Sequence, residues 1–246
     1  MAEHQTIRRV GAGVRTAEID EGLRAYMNKV YGTMSVGLLM TAGVAWAVGS
    51  NPALLSVLRD PATLSPNILG YAVMFAPLIM VFAFGAMLNR LSAAGAQLFF
   101  YTFAAVMGLS LSWIFAAFTG ISIAQTFLVT SISFAGLSLY GYTTKRDISG
   151  WGSFLIMGVI GLIVASIVNI FLASPAIMFA ISILGVLIFA GLTAYDTQKI
   201  KTLYLQHAHS MDQEWLGKSA IMGALSLYLD FINLFMFLLQ FLGNRN

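Results

Sequence analysis

Cysteine is absent from the 246 residues, which removes both a disulfide framework and any thiolate metal site. Charge is nearly as scarce: 9% of residues are charged, against about a quarter in water-soluble domains. Three histidines remain, none of them in an apolar run, so a serine–histidine intramembrane hydrolase has no general base. No low-complexity stretch and no internal repeat is visible, which argues against an inverted-repeat transporter. No basic patch with interleaved aromatics points to nucleic acid, and none is expected as a partner.

What is present is hydrophobicity, at 59% of the chain, with 18 Phe and 13 Met. A bilayer core about 30 Å thick takes roughly 20 apolar residues per helical crossing. That ruler predicts seven spans, at about 30–49, 68–88, 98–119, 121–140, 153–173, 176–195 and 219–242. Asn51-Pro52, Gly120 and Ser174-Pro175 punctuate their ends. The expected fold is therefore all-α and polytopic. Residues 1–29 form an N-terminal segment, 30–242 a single transmembrane domain, and 243–246 a short tail. Ile19, Leu23, Met27 and Val30 share one helical face, so the N-terminal segment is expected either to lie on the membrane surface or to be a solvated tail. It is not a cleavable signal, because the apolar run after it is too long and lacks a small-residue cleavage site.

Orientation follows from Lys and Arg, which accumulate on the cytoplasmic side. Of the 13 basic residues, all but Arg59 and Arg245 fall in the N-terminal segment or in the loops after spans two, four and six. The N-terminus is thus expected in the cytoplasm and the C-terminus opposite. The short chain, with no eukaryotic targeting tail, suits a bacterial inner membrane.

Two acidic residues resist this partition. Asp230 lies near the middle of span seven, where an ionised carboxylate costs about 2.5–3.5 kcal/mol on insertion scales. Ser219, Gly223, Ser226, Asp230, Asn233 and Gln240 repeat at helical spacing, so span seven turns a small, polar stripe inward. The alternative is a protonated Asp230 that only bonds a neighbouring helix. Asp196 ends span six, and depth counting places Asp230 about 10–15 Å deeper than Asp196. If the two carboxyls meet, they cannot both ionise cheaply and share protons as a unit. Deprotonated, they repel or recruit a hard cation such as Ca²⁺. Arg90, at the cytoplasmic end of span two, is a candidate latch on Asp196, or simply a snorkelling arginine. Pro77 is expected to bend span two, and Asn169 to face the same interior or a neighbouring helix. His207 and His209 lack a third ligand and are not read as a metal site.

The runs Ala194-Tyr195-Asp196-Thr197-Gln198-Lys199-Ile200 and Leu225-Ser226-Leu227-Tyr228-Leu229-Asp230-Phe231-Ile232-Asn233 resemble the signature of the Bax-inhibitor family, whose bacterial branch includes YccA-like proteins. The resemblance covers essentially the whole chain. It implies six helices around a central, polar-faced seventh, no enzymatic activity, and a pH-sensitive Ca²⁺ leak. It implies that Asp196 and Asp230 sense protons and transiently hold Ca²⁺, and that Arg90 is the closing latch. No cofactor is implied beyond the transported ion. YccA-like relatives also suggest an interaction protein that modulates a membrane protease. An intramembrane aspartyl protease is the remote third reading: the tyrosine–aspartate pair is present, but the glycine-rich motif that family requires before its second aspartate is not.

Overall fold

The helices form where the apolar runs meet capping residues. The computed structural model describes residues 2–88, 90–207 and 212–245, with side chains from residue 19 onward. Among the described residues nine helices follow one another: α1 (Ala2–Gly49), α2 (Pro52–Ser56), α3 (Ile68–Met87), α4 (Ala93–Leu111), α5 (Ile114–Ala117), α6 (Gly120–Thr143), α7 (Trp151–Leu172), α8 (Pro175–His207) and α9 (Gln213–Leu242). Side-chain oxygens of Asn67, Ser92, Thr119 and Asp212 accept amide hydrogens at the starts of α3, α4, α6 and α9. Ala173, in the left-handed conformation at φ 47°, closes α7 before Ser174-Pro175 starts α8. Seven segments are long and apolar enough to cross a bilayer, with α4 and α5 together making the third.

The central helix is α9. In its most apolar window 61% of residues are buried, against 17–39% in the other six spans. It packs against α1, α4, α6 and α8, while α3 lies mainly on α4 and α7 mainly on α8. The outward faces of α3 and α7 are large apolar side chains such as Phe82, Phe154 and Phe171, all exposed. In lipid that exposure carries no hydrophobic penalty, so helix association relies on close packing. Small residues supply it. A Cβ on Gly108 would lie 2.7 Å from the Thr41 carbonyl oxygen of α1, and one on Gly141 would lie 2.2 Å from the Ala194 oxygen of α8. A fully buried aromatic cluster closes the centre. Phe100 and Phe103 of α4 set their edges against Tyr228 at 5.6 Å. The Tyr228 hydroxyl bonds Thr41 Oγ1 at 2.6 Å, and that hydroxyl donates on to the Ala104 carbonyl at 2.8 Å, so α1, α4 and α9 are stitched together.

The loops alternate between two ends, as the basic-residue count requires. At one end Arg59 lies 5.6 Å over the Trp113 ring, and the chain at 243–245 bonds back to Thr119 and Ser122. At the other, Glu214 accepts the Ala93 amide hydrogen at 2.7 Å, and Gln198 holds the turn between α6 and α7.

Several boundaries differ from the span ruler. α8 continues to His207 and α9 begins at Gln213, so Lys199, Lys201 and Lys218 ride on helices that project past the membrane edge rather than in a loop. The ruler detects only the lipid-immersed part of a helix. Leu23, Met27 and Val30 of α1 are buried in the core with Ile200, Tyr204 and Ile221. That face meets the α8–α9 hairpin, not lipid. Pro77 sits within a continuous α3. Asn169 is buried, and its Oδ1 accepts the Ser174 amide hydrogen at 3.1 Å, in the turn from α7 into α8.

Candidate functional site

Asp230 is 4% exposed on α9, and its Oδ2 has no hydrogen-bond partner among the described residues. The next residue, Phe231, sets its ring edge against Phe134 and Phe127 of α6 at 5.4 and 5.5 Å. Phe231 thus faces α6, while the buried Asp230 carboxyl interacts with Asp196 and Lys199 of α8 and keeps one oxygen unmatched among the described residues. Buried polar atoms are nearly always matched, so such an exception needs a reason.

Its relation to Asp196 is set by the register of the α8–α9 hairpin. A Cβ on Gly223 would lie 3.1 Å from Ile200, Gly185 lies under the Phe237 ring, and Ser182 Oγ donates to Gln240 Oε1 at 2.9 Å. Those three pairings bring Asp196 level with Ser226 and Leu227, and Asp230 about one turn deeper, roughly 5–6 Å along the axis. The 10–15 Å expected from depth counting is too large. It assumed that both helices stop at the hydrocarbon edge, whereas they run past it by different lengths. Asp196 is half-buried. Asp230 interacts electrostatically with both Asp196 and Lys199. No hydrogen bond joins the two carboxyls among the described residues, so the two aspartates interact through space.

The cation facing the pair is Lys199, three residues after Asp196 on the same helix. Its chain also lies 5.9 Å over the Tyr195 ring. Arg90 is exposed in the turn between α3 and α4. Among the described residues the one salt bridge is Lys218–Glu214 at 3.8 Å, and Arg90 makes none with Asp196.

The polar stripe of α9 splits among partners. Ser219 bonds Tyr26 of α1 at 2.9 Å, Gly223 admits Ile200, and Gln240 reaches Ser182. Asn233 donates to its own helix at Leu229, and Ser226 is half-buried opposite Asp196. The stripe mostly lets α8 approach closely.

Beside the acids runs a buried chain of hydroxyls. Tyr31 of α1 bonds Ser138 of α6, Ser138 bonds Thr197 of α8 at 3.0 Å, and Thr197 bonds the Thr193 carbonyl at 2.8 Å. Tyr31 and Ser138 line a groove of about 510 Å³ between α1 and α6, whose mouth includes Arg24. The sequence reading missed this chain and missed Tyr228. The available signal was a phenol or hydroxyl in mid-span, which must find a partner when buried.

A cation at Asp196 and Asp230 would have two carboxylates and few other anionic oxygens, since no group of three or more His, Cys, Asp or Glu occurs among the described residues. Stable Ca²⁺ sites take six to eight oxygens, more than these two carboxyls supply. His207 stacks on Trp215 at 4.5 Å and bonds the Leu203 carbonyl, while His209 lies outside the described residues.

Residues 23–246 match the family model "Inhibitor of apoptosis-promoting Bax1". The chain is 47% identical over 224 residues to inner membrane protein YbhL of Escherichia coli, covering 91% of this chain and 93% of that protein. It is 45% identical to an uncharacterised protein of Caulobacter vibrioides, covering 97% and 96% of the two chains. It is likewise 45% identical to an uncharacterised protein of Rickettsia prowazekii, covering 92% of each.

Proposed function

Because the chain belongs to the Bax1-inhibitor family of multi-pass membrane proteins, we propose that it is a proton-regulated cation leak, carrying Ca²⁺, in a bacterial inner membrane. The observation that carries this reading is Asp230, a carboxyl on the central helix with an unpartnered oxygen, one turn from Asp196. The name of the Escherichia coli relative supports the choice of membrane.

The chemistry runs as follows. With a proton on the pair, Asp230 is neutral, the α8–α9 seam stays packed and a cation finds no anionic stop. When the second proton leaves, two like charges face each other across the α8–α9 seam, with the Asp230 side buried. At low dielectric that repulsion is large. It is relieved by separating α8 from α9, by Lys199, or by a divalent cation. The first opens a path and the last moves along it. Lys199 tempers the repulsion at the cytoplasmic end.

Purified protein in liposomes loaded with a Ca²⁺ indicator tests this. Flux should increase as pH is raised from acidic through neutral. Asp230→Asn and Asp196→Asn should flatten that dependence, and Lys199→Gln should shift it. Unchanged pH profiles in both Asp variants would remove the pair from the mechanism.

A further inference from the structure

A second cavity, of about 600 Å³, opens at the cytoplasmic end between the α6–α7 turn and the projecting part of α8. Its lining is strongly one-signed: Lys145, Arg146, Lys199 and Lys201 against a single carboxylate, Asp147. None of the four cations makes a salt bridge among the described residues. Asp147, whose Oδ1 accepts the amide hydrogen of Ser149 at 2.9 Å, can offset one of the four cations, which leaves the lining in positive excess. From these observations we propose that this cavity is a phosphate-binding site that takes the headgroup of an anionic phospholipid.

The cavity is built, not a chance convergence of flexible lysines. Gln198 donates to the Arg146 carbonyl at 2.8 Å and accepts the Ile148 amide hydrogen at 2.9 Å, fixing the turn that carries Lys145 and Arg146 against α8. Lys201 is anchored on the opposite wall by the Tyr142 carbonyl at 2.6 Å, with the Tyr142 ring 5.1 Å below it. The depth favours a lipid over a soluble anion. Trp151 begins α7 beside this turn and is exposed, and Tyr195 lines the cavity, so the cations stand at the level where aromatic side chains mark the headgroup layer. Basic pockets at the cytoplasmic ends of transmembrane helices suit phosphodiester headgroups. The site does not depend on whether the aspartate pair gates a leak, although Lys199 belongs to both.

The test uses the whole protein in uncharged detergent, titrated with short-chain phosphatidylglycerol, short-chain phosphatidylcholine or inorganic phosphate, with binding followed by thermophoresis. Phosphatidylglycerol should bind and phosphatidylcholine should not. The triple variant Lys145→Gln, Arg146→Gln, Lys199→Gln should bind roughly 100-fold more weakly, from about fivefold per cation. A control triple that removes Arg24, Lys29 and Lys218, equally cytoplasmic but outside the cavity, should keep the affinity. Lys145→Gln and Arg146→Gln alone, both exposed in the turn, should each weaken binding if the triple does not fold. Equal losses in the two triples, or equal binding of phosphatidylcholine, would overturn the site. Inorganic phosphate binding as tightly as the lipid would overturn the assignment to a headgroup.

Discussion

Gly141 offers the sharpest test of how α6 and α8 meet. A Cβ there would lie 2.2 Å from the Ala194 carbonyl oxygen and 3.0 Å from its carbonyl carbon and Cα. All three are backbone atoms, so no rotamer change relieves the clash. In Gly141→Ala the helices must separate by about 1 Å to restore ordinary contact, an overpacking that costs about 1–3 kcal/mol. Gly136 lies on the same helix with nothing within 4 Å of its would-be Cβ. Gly136→Ala gains helix propensity alone and should be neutral or stabilising by about 0.5–1 kcal/mol. For a chain of this size 1 kcal/mol moves the midpoint by about 2–4 °C. Thermal unfolding in one detergent should therefore lower Tm by roughly 2–10 °C in Gly141→Ala and leave it unchanged or slightly raised in Gly136→Ala. Asp196 lies two residues beyond the clash, so the looser variant should also leak more Ca²⁺ at acidic pH. Identical Tm values for the two variants would refute the described contact.

Tyr228→Phe keeps the aromatic packing but deletes the hydroxyl bonded to Thr41. It should destabilise by about 1 kcal/mol, whereas Tyr228→Ala should cost about 3–5 kcal/mol, both readable from unfolding midpoints. The cysteine-free chain allows clean labelling of single cysteines. Thr63→Cys should react with an impermeant maleimide in intact spheroplasts, and Ser149→Cys only after permeabilisation. Labelling of both from one side would break the assigned topology.

Much of this molecule was legible in composition and spacing. Seven crossings, their alternation and the inward stripe of α9 follow from one constraint: in lipid every backbone polar group must be satisfied within its own helix, so apolar length maps directly onto spans. Asp230 stood out for the same reason, since an acid at mid-depth must be sheltered. The distance between Asp196 and Asp230 was not legible. It depends on how Gly223 and Gly185 set the register of α8 against α9, and on helical extensions whose charged residues read as loop. The hydroxyl chain from Tyr31 through Ser138 to Thr197 joins pairs 107 and 59 positions apart. Local periodicity carries no information about such pairings. The sequence by itself determined what each helix could tolerate in lipid. Tertiary packing decided which polar groups face each other, because close approach through glycine is a property of two surfaces at once.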